Sequence, residues 1–327
     1  MKETQFIAAR EADWLRWDDW LAHPLDRSAL PFPAVEVPHR FRELCRDLSL
    51  ARDRNYSSPL IDRLQQRVLR VQQRIYGAQP RQRRAWLHFF VAGFPALVRR
   101  EWRFVITAAV LFLAPIGLYI VAAHQWPESV YLVLPAEAAV DMETMYSPDA
   151  PHIGRPRGAS DDFMMLGMYI YNNVRIDFQC FAGGILFGLG SIFFLLYNGL
   201  FIGAVAGHLT RLGYGATFWS FVAGHSSFEL IGGILAGAAG LRIGYALVAP
   251  GALTRGAALR EAARVAVRLL YGAAAMTACA AFVEAFWSPQ RALPNELKYA
   301  VGIMLWIAWI AYFALAGHGT AEERDAA

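Results

Sequence analysis

Apolar and polar positions follow two different rules along this chain. In the first ninety residues the apolar ones recur at helical spacing. The stretch FIAAREADWLRWDDWLA sets Phe6, Ile7, Trp14, Trp17 and Leu21 on one side of a helix. Pro31, Pro33 and Pro38 mark a loop. The segments HRFRELCRDLSLARDR and PLIDRLQQRVLRVQQRIYG read as two further helices. In the second, Leu60, Leu64, Val68, Val71 and Ile75 make an apolar stripe, and Arg63, Arg67, Arg70 and Arg74 make the opposite face. Residues 1–90 are therefore expected to form a cytoplasmic helical domain. Trp14, Trp17 and Trp20 are expected to pack on neighbouring helices, with contact to a membrane interface as the other reading. The arginine face reads as a solvated surface or as one that meets acidic headgroups.

Beyond residue 103 the apolar runs lengthen to bilayer dimensions. A hydrocarbon core of about 30 Å takes roughly 20 apolar residues per helix, and 104–123 supplies one such run. Residues 163–197 and 216–249 would be roughly 52 and 51 Å long as single helices, too long for one crossing each. Each needs a break. YNNVRID (171–177) predicts one, leaving 163–171 at the interface and a crossing over 176–197. GHSSFELIGG (224–233) predicts the other. A crossing over 198–212 starts at Asn198-Gly199, and 266–287 and 299–317 complete six. The expected architecture is all-α: a polytopic membrane domain over 91–317 with two broken helices, then a cytoplasmic tail, 318–327. FAGGILFGLGSI (181–192) and LIGGILAGAAGL (230–241) align at an offset of 49 residues, which suggests two parallel copies of a broken-helix unit.

Composition agrees, since 56% of the residues are hydrophobic and only 18% charged, below the ~25% of soluble domains. Charge placement orients the chain. Arg81, Arg83, Arg84, Arg99, Arg100 and Arg103 precede the first span. Glu128, Glu137, Asp141, Glu143, Asp149, Asp161 and Asp162 outnumber Arg155 and Arg157 in the loop after it. Arg255, Arg260, Arg264 and Arg268 follow residue 250. By the positive-inside rule both termini are cytoplasmic. The polar N-terminus predicts no cleaved signal peptide. Cys45, Cys180 and Cys279 have neither zinc nor disulfide spacing. Acidic residues interleave with the arginines and no nucleic-acid motif occurs, so nucleic acid is not an expected partner.

The chemistry concentrates at the second break. His225 and Glu229 lie four apart, on one face of a helix. An ionisable group in lipid costs roughly 3 kcal/mol or more, so both should face protein or water. Three readings stand. A metal-dependent hydrolase needs a third ligand and a base, and no H-E-x-x-H, nucleophile elbow or carboxylate pair supplies them. An ion, proton or substrate site would draw on Asn172, Asn173, Arg175, Asp177, Asn198 and Glu284 as well. The third is structural: Ser226 and Glu229 have the spacing of a capping box, in which they satisfy backbone N–H groups that water cannot reach in a bilayer. The cap is the expected role, and it is compatible with a binding site. No metal or cofactor is called for. Gly183, Gly184, Gly188 and Gly190 flatten one helix, and Gly233, Gly237, Gly240 and Gly244 another. Such faces serve packing within one chain or a dimer seam.

FRELCRDLSLARDR (41–54), RIYG, YNNVRIDFQCFAGGILFGLGSIFFLLYNGLFIG (171–203) and GHSSFELIGGILAGAAGLRIG (224–244) together resemble the stage II sporulation protein M family of integral membrane proteins. His225 and Glu229 match its His…Glu block, while Ser226 stands where the family usually has glycine. The resemblance implies a multi-span protein of the bacterial inner membrane without established enzymatic activity. It further implies partners such as other membrane proteins and a MoxR-type ATPase. The expected function is a homo-oligomeric membrane scaffold in cell-envelope processes. The alternative is a transporter or channel with a polar site at His225 and Glu229.

Overall fold

A computed structural model describes residues 2–22, 30–76, 86–150, 153–155 and 162–318. Arg81, Arg83, Arg84, Arg157, Asp161, the Gly77 that closes RIYG and the tail from 319 lie outside them. Every regular element among the described residues is helical. The chain divides into two compact units, 1–86 and 87–327.

In the first unit, α1 (Glu3–Ala22), α2 (Val37–Asp53) and α3 (Ser58–Tyr76) enclose one core. Phe6, Trp14, Trp17, Leu44, Leu60, Leu64 and Val71 are buried in it. The tryptophans thus pack inward, and Trp20 meets the Trp17 ring edge-on at 5.7 Å. Asp47 is buried and accepts from Arg10 Nε and Trp14 Nε1, each at 2.9 Å. The arginine face of α3 is partly consumed by α1. Arg67 pairs with Asp18, and the Arg74 guanidinium covers the Trp20 ring at 4.2 Å.

The second unit begins with a π-helical turn, Phe89–Gly93. Then follow α4 (Phe94–Arg100), α5 (Trp102–Gln125), α6 (Ala136–Tyr146), α7 (Asp162–Ala182), α8 (Leu189–Arg211), α9 (Gly215–Ala223), α10 (Ser226–Val248), α11 (Arg255–Phe286) and α12 (Asn295–Leu315). Five of them, α5, α8, α10, α11 and α12, are long and apolar enough to cross a membrane. The sixth long helix, α7, carries Asp162, Arg175 and Asp177 and packs lengthwise in the same layer. Two-thirds of the apolar window of α10 is buried (67%) against 11% for α12, so α10 is the central helix.

Side-chain pairings give the directions. Gly199, Gly203 and Gly207 of α8 meet Phe112, Ile116 and Ile120 of α5 in the same order, so these two helices are parallel. Met165 and Tyr169 of α7 cluster with Ala285 and Ala281 of α11. Ser191 Oγ of α8 donates to the Cys180 carbonyl at 2.5 Å, just across the turn from α7. Helices α5, α8 and α11 therefore run one way, and α7, α10 and α12 the other. One end of the layer carries Arg99, Arg100, Arg103, Arg255, Arg260 and Arg264, and the other carries Glu128, Glu137, Asp141, Glu143 and Asp162.

The first expected break is displaced. Helix α7 runs unbroken through YNNVRID, and the chain turns instead at 183–188. The expected crossing 176–197 is thus shared between two antiparallel helices, and 198–212 is the later part of α8 rather than a crossing of its own. The physical reason is that polar side chains need not interrupt a helix that buries them. Asn173 and Asp177 face protein. The turn is made where the backbone can enter the left-handed region, at Gly188 (φ 85°), with Phe187 at φ 54° beside it. The second stretch does break within GHSSF, between α9 and α10.

The proposed repeat is not one. Residues 181–192 form a helix end, a turn and a helix start, whereas 230–241 lie inside the continuous α10. The two segments pack against each other. A Cβ on Gly184 would lie 2.1 Å from the Gly240 carbonyl oxygen, and one on Gly244 would lie 2.4 Å from Gly188 Cα. Their likeness reflects a shared need for close backbone approach. Gly183 meets Gly190, and Gly237 meets Leu195, so these faces are occupied within one chain. Gly233 has more room, near Phe112 and Asp177.

Candidate functional site

The site is built at the α9–α10 break. Gly224 (φ −73°, ψ −34°) and His225 (φ −104°, ψ −17°) both stay in the right-handed region, so the chain kinks without unwinding. Side-chain space is absent at Gly224, where a Cβ would lie 2.2 Å from the Trp287 ring. The capping box does not form. Its N-cap residue needs extended backbone, and here the residue preceding α10 is His225, in helical conformation and with no side-chain cap. Phe228 and Glu229 N–H both bond the His225 carbonyl. Ser226 Oγ instead donates to the Ala223 carbonyl and accepts from Trp306 Nε1, each at 3.4 Å.

Released from capping, the Glu229 carboxylate turns toward the histidine, with Oε2 3.7 Å from His225 Nε2. The His225 side chain is only 4% exposed. Its Nδ1 bonds Ser288 Oγ at 2.9 Å, just past the end of α11. Ser288 is itself held by the buried Lys298 of α12, whose Nζ donates to its carbonyl at 2.8 Å. Glu284, one turn before Ser288, completes a triplet. Ligand-type atoms of His225, Glu229 and Glu284 lie within 4.8 Å of one another. Aromatic rings roof it. Phe221 meets the His225 ring edge-on at 5.4 Å, and Tyr146 of α6 meets Phe221 at 5.5 Å. Burial raises the Tyr146 phenol above its ordinary range, and the nearby Glu284, Tyr169 and Glu229 raise it further against Arg155.

Deeper in the layer, Asp177 is buried, accepts from Thr277 Oγ1, and lies within Coulombic reach of Glu229. Its level is that of Phe112, near the middle of α5, since both border Gly233. Glu284 lies seven residues beyond Thr277 along α11, roughly 10 Å nearer the acidic end. The acidic groups thus descend from that end to mid-layer. Below them the Gly184–Gly240 and Gly188–Gly244 contacts close the bundle.

The fold therefore gathers His225, Glu229, Glu284 and Asp177. Asn173 shares the inner face of α7, its Nδ2 buried without a hydrogen bond. Asn172 and Arg175 are not part of the cluster and face outward. Asn198 bonds the Phe194 carbonyl of its own helix at 2.7 Å. Sequence reasoning missed Ser288, Lys298, Thr277 and Tyr146. None stands in a motif, and only the pairing of α10 with α11 and α12 brings them near His225. A second buried histidine, His208, pairs with Glu143 at 2.7 Å and ties α8 to α6.

These features define a polytopic helical membrane protein with a buried polar cluster at a helix kink. Residues 107–289, more than half of the chain, match the family described as Stage II sporulation protein M, and the chain belongs to that family. Residues 4–77 match a domain of unknown function, DUF8413. Neither the curated proteins nor the solved structures contain a match to this chain.

Proposed function

We propose that this protein is a non-enzymatic membrane assembly protein that pairs with copies of itself through the outer face of α7. One observation carries the reading. Asn172 and Arg175 are exposed on α7 beside exposed Tyr171 and Phe178, and Arg175 is only two residues from mid-layer Asp177. An arginine at bilayer centre costs about 3 kcal/mol on insertion scales, so protein should cover it. The face is self-complementary. Asn172 donates one amide N–H to Asn173 Oδ1 at 3.0 Å, and its own Oδ1 is an acceptor one turn from the Arg175 donors on the same exposed face. A twofold axis along the membrane normal matches donor to acceptor twice.

The basic end then faces the cytoplasm of a bacterial inner membrane, with both termini inside. The first unit is left to meet soluble partners, a MoxR-type ATPase among them. Asn172→Cys should form a cross-linked dimer in native membranes, and Arg175→Leu should lower the oligomeric mass in nanodiscs. A monomer in both experiments overturns the reading. Transport is the second reading, favoured by the descent of acidic groups from Glu284 to Asp177. It requires solute flux in liposomes that Glu229→Gln abolishes.

A further inference from the structure

We propose that His225 Nε2 and the carboxylates of Glu229 and Glu284 form a binding site for one divalent transition-metal ion of the zinc class. The inference is independent of the assembly role. Its first support is the donor set. One imidazole and two carboxylates suit a first-row divalent ion, and their ligand-type atoms already lie within 4.8 Å of one another. A tetrahedral shell with bonds of about 2.0 Å sets donors roughly 3.3 Å apart. Side-chain rotations of the two half-buried glutamates close that gap, with the histidine fixed.

The second support is the histidine itself. It is at least nine-tenths buried, and Nε2, the atom facing Glu229, has no hydrogen bond among the described residues. Its nearest carboxylate oxygen stands at 3.7 Å. The other nitrogen is committed to Ser288 Oγ at 2.9 Å, and Ser288 is anchored by Lys298. A ligating histidine takes this arrangement, in which a partner on one nitrogen fixes the ring and presents the other to the metal. The third support is charge. Two carboxylates gathered at one imidazole in a low-dielectric layer favour a nearby cation. A divalent cation with neutral imidazole makes the site neutral overall. Three protein donors leave a fourth position open.

The test uses untagged full-length protein, stripped with chelator and held in nanodiscs at neutral pH. Co2+ is titrated by visible absorption, and Zn2+ is then added in competition. The expected result is one equivalent of Co2+ with tetrahedral d–d bands, displaced by Zn2+. Glu284→Gln and Glu229→Gln should each weaken binding about 100-fold or more, and Ser288→Ala about 10-fold through loss of ring orientation. His124→Ala, at an exposed histidine, should leave it unchanged. If a glutamate variant fails to fold, Ser288→Ala and His225→Gln carry the test. The proposal is overturned if the intact protein binds no Co2+, or if binding persists undiminished in the folded Glu229→Gln, Glu284→Gln and His225→Gln variants.

Discussion

Gly184→Ala probes the closed end of the bundle. A Cβ there would stand 2.1 Å from the Gly240 carbonyl oxygen and 2.7 Å from its carbon, both main-chain atoms that no rotamer change can move. Real Cβ contacts essentially never fall under 3.0 Å, so the α7–α8 turn and α10 must separate by roughly 1 Å. Inserted methyl groups in tight cores cost about 1–3 kcal/mol, and a purely main-chain wall puts this site at the upper limit. Gly233→Ala is the control. It lies on the same central helix, but its nearest neighbours would be at 3.6 Å and 3.9 Å. There alanine recovers up to about 1 kcal/mol of helix propensity. A unit of this size shifts its midpoint by roughly 2–4 °C per kcal/mol. Gly184→Ala should therefore lower the thermal midpoint in detergent by roughly 6–12 °C, while Gly233→Ala leaves it unchanged or raises it slightly. Near-UV circular dichroism on the full chain reads both. Equal midpoints would refute the claim that this seam is closed by backbone contact.

Two predictions concern the first unit. Asp47→Ala strands the Trp14 indole N–H, now bonded at 2.9 Å, while Arg10 keeps Asp13 and Glu43, and should cost about 1–3 kcal/mol; amide exchange in α1 should accelerate accordingly, and unchanged protection would count against it. Ser57 donates its hydroxyl (2.6 Å) and backbone N–H (2.9 Å) to the Glu3 carboxylate, which holds that carboxyl below its ordinary value. Because the folded value lies below the unfolded one, this link is complete above the unfolded carboxyl's titration and is lost as pH falls through the lowered value. Glu3→Gln should flatten the acid side of a stability–pH profile, and identical profiles would show that the link contributes nothing.

Helix existence was legible because burial imposes period, as the Leu60–Leu64–Val71 stripe and the long apolar runs show. Length arithmetic also found that two stretches must break. It located the break at Gly224-His225 but misplaced the other, because it took polar residues for interruptions. Asn173 and Asp177 sit on a continuous helix with their side chains turned to protein, and only backbone conformation at Gly188 marks the turn. The same confusion produced the repeat, since glycines for a turn and glycines for helix contact look alike in sequence. At the site, the i, i+4 pair was visible. Glu284 was one of six further polar candidates, and nothing in the sequence singled it out as the third member, because it is more than fifty residues away and is brought in by the pairing of α10 with α11.

That pairing gives the cluster its physical sense. Toward the basic end, α10 is clamped to its neighbours by backbone contact at Gly240 and Gly244, and small residues Ala246, Ala258 and Ala262 let α11 close on it. Toward the acidic end the same two helices bring Glu229 and Glu284 to one cluster with His225. Around these carboxylates the fold places a kink and a serine-held histidine rather than apolar packing. An interface that needed only to hold two helices would be better served by alanines, as it is at its other end. Two carboxylates and an unbonded imidazole nitrogen there, 10 Å or so short of mid-layer and beside the Phe221 ring, are the donor set of the proposed metal site. A divalent ion bound there would tie α10 to α11 at the acidic end, as a second clamp opposite the glycine contacts.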